Sequence, residues 1–210
     1  MTIAASADDS SSSSSSLVCV FCGSSSGNDP AYAEAAQELG RELVRNGYGL
    51  VYGGGTGGLM GSVAHATSES GGRVVGIMPR PMTSIEGCGN QVGEMIMVDS
   101  MHQRKSLMND HAAAFIALPG GFGTLEELLE MTTWSKLSIH AKPLIAVNTN
   151  GYYSPLQAMI KQGVDMGFID DSGNDTIVFC DTPAAAVAAI KTYIPQAKRD
   201  DVDWAPKVAA

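Results

Sequence analysis

Short apolar runs alternate along this chain with longer stretches in which apolar residues return every three or four positions. The runs LVCVFCG (17–23), YGLVYG (48–53), RVVGIMP (73–79), EMIMVD (94–99), AAFIALP (113–119), PLIAVNT (143–149) and TIVFC (176–180) read as strands. Several are apolar throughout, the pattern of strands covered on both faces. Helical spacing falls over 30–46, 58–71, 101–110, 123–138, 154–166 and 183–193. Pro30 suits a helix start and Asn46-Gly47 a helix stop. This alternation predicts an α/β fold, a Rossmann-like three-layer sandwich with a mostly parallel sheet. In such sheets ligands gather at the carboxyl ends of the strands.

The pattern occupies 17–195, read as one nucleotide-binding catalytic domain. Residues 1–16 hold a serine run that cannot bury apolar area and read as a disordered tail, and 196–210 as a loose C-terminal one. With 44% hydrophobic residues in 210, the chain can build a full core. Its net charge of −9 argues against nucleic acid and anionic membranes as partners, so a phosphate ligand must be held by local groups. No apolar run is long enough to cross a bilayer. The opening MTIAASADDS lacks a basic start and a long apolar stretch, so a cytoplasmic location is expected. Cys19 and Cys22 form a C-x-x-C, but on a strand, where side chains alternate faces. No second pair completes a zinc site, so these thiols, with Cys88 and Cys180, read as those of a reduced protein, and no metal is expected.

Three loops follow strand ends. CGSSSG (22–27) offers backbone N–H groups and hydroxyls, including that of Ser24, to an anion, or is a plain serine-rich turn. YGGGTGGLMG (52–61) satisfies G-x-G-x-x-G through Gly53, Gly55 and Gly58. That fingerprint also requires an acidic residue ending the next strand, where Arg80 stands instead. Tight helix-on-sheet packing, together with backbone approach to a mononucleotide, explains these glycines better than a dinucleotide does. The third loop, LPGGFGTLEE (118–127), runs from a buried strand into a helix. Gly120, Gly121 and Gly123, with Phe122 between them, let the backbone turn inward, and the amides heading the helix then face an anion. Thr124 adds a hydroxyl.

The glutamates of that helix are read apart. Leu125, Leu128 and Leu129 are expected on the core face. Glu127 then lies on another stripe, with Met131 and Trp134, beside the phosphate loop. Glu126 and Glu130 read as ordinary dipole-favouring glutamates. In DSMHQRKSLMND (99–110), His102, Arg104 and Lys105 also follow a strand end, and a guanidinium binds phosphate through two parallel hydrogen bonds.

PGGFGTLEE with MHQRK upstream resembles the LONELY GUY family of cytokinin-activating phosphoribohydrolases, whose hallmark P-G-G-x-G-T-x-x-E is matched from Pro119 to Glu127. The likeness runs from about Val18 to Ile194 and takes in CGSSSG, GGGTGGLMG, TTWSKLSIHAKP and NGYY. It implies hydrolysis of the N-glycosidic bond of N6-substituted AMP to the free base and ribose 5-phosphate, without a cofactor. It implies Arg104 and Glu127 as the catalytic pair. It further implies that Gly120, Gly121, Phe122, Gly123, Thr124 and Ser24 cradle the phosphate, that Lys105 assists, and that Thr133 touches the ligand. Glu86 is expected near the adenine edge. The resemblance also implies a homodimer with active sites near the interface, which would give Met131, Trp134 and SIHAKP a partner to meet.

The chain departs from the family in EGCGNQVGE (86–94), where Asn90 and Gln91 replace a glutamate and a threonine, and in PRPMTSI just before it. Rival readings are a glycosylase acting broadly on nucleoside monophosphates and a molybdenum-cofactor carrier on the same scaffold. A pyridoxal-dependent lysine decarboxylase needs a buried lysine, and Ser138-Ile139-His140-Ala141-Lys142 has one residue more than the usual S-x-H-K.

Overall fold

The structure, a computed structural model, describes residues 16–86, 91–195 and 204; the side chains of residues 85 and 86 are outside that description. Seven strands form one sheet: β1 (Leu17–Phe21), β2 (Gly49–Tyr52), β3 (Val74–Pro79), β4 (Glu94–Val98), β5 (Ala112–Ala117), β6 (Leu144–Val147) and β7 (Val178–Cys180). They stand in the order β4-β3-β2-β1-β5-β6-β7. Every pairing is parallel. The helices are α1 (Pro30–Arg45), α2 (Gly58–Glu69), α3 (Thr83–Glu86), α4 (Met101–His111), α5 (Phe122–Lys136), α6 (Ser154–Asp165) and α7 (Pro183–Thr192). The expected fold class is borne out, with a fully parallel sheet. The short α3 and the 3-10 turns at Arg80–Met82, Thr149–Gly151 and Asp171–Asp175 have too few residues for a periodicity to announce them.

Alternation along β1 assigns the layers. Val18, Val20 and Cys22 pack beneath α1, α2 and α7, with Leu39, Leu43, Val63 and Val187. Leu17, Cys19 and Phe21 face α4 and α5 through Met108 and Met131. A third cluster joins α5 and α6 to the sheet through Leu128, Ala146 and Tyr153. β1, β2, β3 and β6 are buried at every residue, whereas the edge strands β4 and β7 are half-exposed. Cys19 and Cys22 therefore lie on opposite faces of the sheet, both buried. Cys88 is outside the described residues, as are residues 1–15 and 196–203. Trp204, from the final stretch, donates its indole N–H to Leu137 O at 2.7 Å.

Side chains cap several helices: Asp29 Oδ1 accepts from Ala31 N, Ser100 Oγ from Gln103 N, and Thr182 Oγ1 from Ala185 N. Each satisfies an amide that the helix itself leaves without a partner. α2 and α5 begin instead at Gly57 and Gly121, with no side-chain cap.

Within the SIHAKP stretch, His140 and Pro143 are buried, while Ala141 is exposed. His140 is 8% exposed, and its ring lies 5.2 Å from that of Phe115. Lys142 N donates to His140 Nδ1, which leaves Nε2–H to donate to Met131 O at 3.0 Å. Burial, with the nearby Lys142 ammonium, pulls the His140 imidazole down to about 4. A folded-state value below the unfolded one contributes stability above the unfolded value, and that contribution disappears as pH falls toward the folded one. Acidification from about pH 6.5 to about pH 4 should thus remove roughly 3 kcal/mol of stability through this group. In chemical denaturation across that window, His140→Asn should lose stability less steeply than the wild type; parallel curves would refute the assignment.

Candidate active site

Strand order reverses between β1 and β5: the chain steps outward through β2, β3 and β4, then returns to pair β5 on the other side of β1. Such a switch point leaves a crevice between the diverging loops. Phe21 pairs with Ala117, so the loops after β1 and β5 start side by side. Gly23 N donates to Pro119 O at 3.0 Å, and Gly23 O accepts from Leu59 N and Met60 N of α2. The amino end of α2 is thereby filled by a backbone carbonyl. The second glycine loop thus packs helix against sheet, while its Gly53 also lines the cavity described next. Gly58 has φ +57, and a Cβ there would stand 2.4 Å from the Ser24 carbonyl.

The crevice holds a cavity of about 260 Å³. One end is the uncapped start of α5, with Gly121, Phe122, Gly123 and Thr124, faced by Gly23 and Ser24. Arg104 from α4 and Glu127 from α5 line it further in, where Met60, Met82 and Met101 complete an apolar wall. A neighbouring compartment of about 270 Å³ shares Gly23, Ser24 and Gly121 and continues past Gly120 to Tyr32 and Tyr152.

Arg104 is only 3% exposed. Its Nη2 donates to Gly53 O at 2.8 Å. Gly53 is needed here, because a Cβ on it would stand 2.1 Å from that nitrogen. Gly120 meets a similar constraint, its Cβ falling 2.1 Å from Thr124 Oγ1. The NGYY segment braces the loop from outside. Tyr153 OH donates to Leu118 O at 2.7 Å, Tyr152 OH donates to Gly120 O, and Asn148 Oδ1 holds Tyr153 N at 2.6 Å. Burial raises the Tyr153 hydroxyl well above the usual phenol range, so it remains a donor.

Other candidates sit differently. Lys105 is 7% exposed, and its ammonium pairs with Glu126 at 2.5 Å and Glu130 at 2.8 Å. Burial works against that charge, but the two carboxylates outweigh it and hold the lysine above its ordinary value. Glu126 and Glu130 are thus more than dipole decoration, a correction that only tertiary proximity between α4 and α5 reveals. Thr133 is exposed on α5 and donates back to Leu129 O at 2.9 Å. Leu129 is 43% exposed rather than in the core, because the buried stripe of α5 runs through Thr124, Leu128 and Met131. Met131, 1% exposed, packs inside its own protomer and has no surface for a partner; the same holds for His140. His102 is exposed and outside the cavity lining. Glu86 ends α3, and its side chain, like Asn90, lies outside the described residues. The three methionines went unread in the sequence because lone methionines at helix starts look like core.

A family model described as "Possible lysine decarboxylase" matches residues 60–190. A probable cytokinin riboside 5'-monophosphate phosphoribohydrolase of Oryza sativa subsp. japonica is 49% identical over 179 residues, 85% of this chain and 73% of that one. A cytokinin riboside 5'-monophosphate phosphoribohydrolase of Arabidopsis thaliana is 46% identical over 184 residues, 88% of this chain and 85% of its own. The chain belongs to the LONELY GUY family. Among solved structures, the molybdenum cofactor carrier protein of Chlamydomonas reinhardtii superposes with a TM-score of 0.63 at 22% identity, over 84% of this chain and 96% of the carrier. That likeness concerns the fold.

The decarboxylase description does not fit this site. Among the described residues no lysine lines the cavity. Lys142 lies at the amino end of β6, away from the strand ends that carry the cavity, and its Nζ donates to Asn109 O. Pyridoxal chemistry would require an amine in the cavity.

Gly121 and Gly123 differ from the other loop glycines: a Cβ on either meets nothing within 4 Å, and neither has a left-handed φ. The protein fold does not require them, and an added methyl on either would enter open space at the edge of the cavity. Gly123→Ala should leave thermal stability unchanged or raise it by up to about 1 kcal/mol. It should weaken AMP binding by calorimetry at least tenfold. Equal binding would show that the ligand stays clear of the helix start.

Proposed function

We propose that the protein hydrolyses the N-glycosidic bond of N6-substituted AMP, the cytokinin riboside 5'-monophosphates, to free base and ribose 5-phosphate. The observation that carries this reading is the convergence of Arg104 and Glu127 on one cavity headed by a bare helix start. It is supported by 46–49% identity to cytokinin riboside 5'-monophosphate phosphoribohydrolases.

The phosphate sits at the head of α5, on the amides of Phe122 and Gly123 and the hydroxyls of Thr124 and Ser24. Gly120 and Gly121 keep the approach open. There the helix dipole favours negative charge. The ribose then lies along α5 toward Glu127 and the base toward the methionine wall. As the bond between C1' and the base nitrogen breaks, its electron pair leaves with the base and positive charge builds on the ribose. The Glu127 carboxylate stabilises that charge and orients a water whose oxygen forms the new bond to C1'. The water's proton ends on the departing base. Arg104 supplies the positive charge that both the phosphate and an electron-rich departing purine require. Lys105 acts from behind, its pairing with Glu126 and Glu130 fixing α4 against α5 and so Arg104 against Glu127. Thr133 and Glu86 remain proposed ligand contacts.

A homodimer belongs to the same proposal. Its support is an apolar groove between α5 and α6, where Leu129, Met159, Met166 and Phe168 are exposed. Among the described residues no helix is long and apolar enough to cross a membrane. A cytoplasmic setting is proposed on the acidic composition and the free thiols of Cys19 and Cys180.

Incubation with isopentenyladenosine monophosphate, AMP and the matching nucleosides, followed by chromatography, should yield free base from the monophosphates alone. Release from AMP at the same rate would favour the broad glycosylase, and no release from any substrate would favour the carrier. Glu127→Gln should lower kcat about 10²- to 10³-fold with little change in melting temperature; retained turnover would remove the carboxylate from the mechanism. Phe168→Glu should convert a dimer to a monomer in light scattering, and an unchanged mass would move the interface elsewhere.

A further inference from the structure

Four successive carbonyls in the loop before α5 each accept from a donor of the protein. Leu118 O accepts from Tyr153 OH, Pro119 O from Gly23 N, Gly120 O from Tyr152 OH and Gly121 O from Leu125 N. A trans peptide points its C=O and N–H in opposite directions, and every described peptide bond is trans. Holding a carbonyl therefore aims the next residue's amide the other way. Gly120 O turns toward Tyr152 in the outer compartment. Gly121 N–H then turns back toward the cavity that Gly121 lines beside Phe122 and Gly123.

The peptide units on either side are fixed by the backbone itself. Gly121 O is taken by the first turn of α5 and Pro119 O by the loop after β1. The unit after Leu118 ends on Pro119, which has no N–H to aim. The unit between Gly120 and Gly121 is different. With glycine on both sides it can turn over without a side chain to oppose it, and the turned form would aim a carbonyl at the anion. Its orientation falls to the Tyr152 hydroxyl, which is placed from outside the site. The Tyr152 ring stands edge-on to Tyr32 at 6.2 Å and to Tyr153 at 5.1 Å. The turn before it is fastened by Asn150, at φ +52, whose Nδ2 donates to Asp29 Oδ2 at 3.1 Å beside the start of α1.

We propose that Tyr152 is a positioning residue: its hydroxyl, through the Gly120 carbonyl, keeps the Gly121 amide aimed at the substrate phosphate. The identity of that substrate rests on the hydrolase reading above; the orientation of the peptide does not.

The orientation is read without ligand from the residual dipolar coupling of the Gly121 N–H in ¹⁵N-labelled protein. The wild type should match an amide directed into the cavity, and Tyr152→Phe should move the coupling toward the average of two orientations. A coupling that Tyr152→Phe leaves unchanged would overturn the proposal whatever the enzyme does. AMP affinity by calorimetry should fall about tenfold in Tyr152→Phe, the effect of one lost hydrogen bond to a charged group. In turnover the loss should lie in KM with kcat nearly unchanged, since a phosphate contact serves ground and transition states alike. Tyr153→Phe is the control. Tyr153 is 1% exposed against 39% for Tyr152, so losing its hydroxyl should lower the melting temperature more. It should nevertheless change AMP affinity by less than about twofold, because its peptide unit carries no amide proton. Equal losses of affinity in the two variants would mean that the tyrosines only stiffen the loop, and would overturn the role given to Tyr152. A wild type that releases no base, with coupling and AMP affinity responding as stated, would count against the hydrolase reading alone.

Discussion

Everything at this site depends on how closely three backbone segments approach one another above β2, β1 and β5. Gly23 is the pivot. Its amide donates to Pro119 O, and its carbonyl accepts from the first amides of α2. That approach holds only where no side chain intervenes, at Gly58 against Ser24 and at Gly120 against Thr124. Because α2 gives its amides to Gly23, the start of α5 is the bare one at the crevice. Two glycine-rich loops of similar appearance therefore sit differently: one seals the floor, and one lines the crevice with a helix start that has no side-chain cap.

The charged groups follow from that geometry. Arg104 enters the crevice from the opposite layer because Gly53 leaves room beside its carbonyl. Lys105, the next residue on α4, turns instead toward Glu126 and Glu130. Lys105 is buried but Glu126 is half-exposed, so these pairs add little net stability and serve to hold two elements in register. Here the registered elements are the helix that carries Arg104 and the helix that carries Glu127. The NGYY segment does the same from outside, its tyrosines holding the carbonyls of Leu118 and Gly120.

Much of this was legible along the chain. Fully apolar runs announced strands covered on both faces, and β1, β2, β3 and β6 are buried at every residue. Pro30 and Asn46-Gly47 mark α1 to within a residue. Arg104 and Glu127 stood out because each follows a strand end, where an α/β sheet collects its ligands. The partnership of Lys105 with Glu126 and Glu130 was hidden, since it joins residues 21 apart and more. The interior place of Met131 and His140 was hidden too: the family resemblance put both at a partner surface, and both are buried in the chain's own core.

The sequence by itself determined the parallel layered fold, the glycine loops and the residue types available at the strand ends, because periodicity and steric permission are local properties of the chain. Only the tertiary structure decided which helix start stays bare, which cation faces the cavity and which is neutralised. Those outcomes depend on which surfaces the strand order brings within hydrogen-bonding distance, and that distance is set by packing across layers rather than by neighbours in sequence.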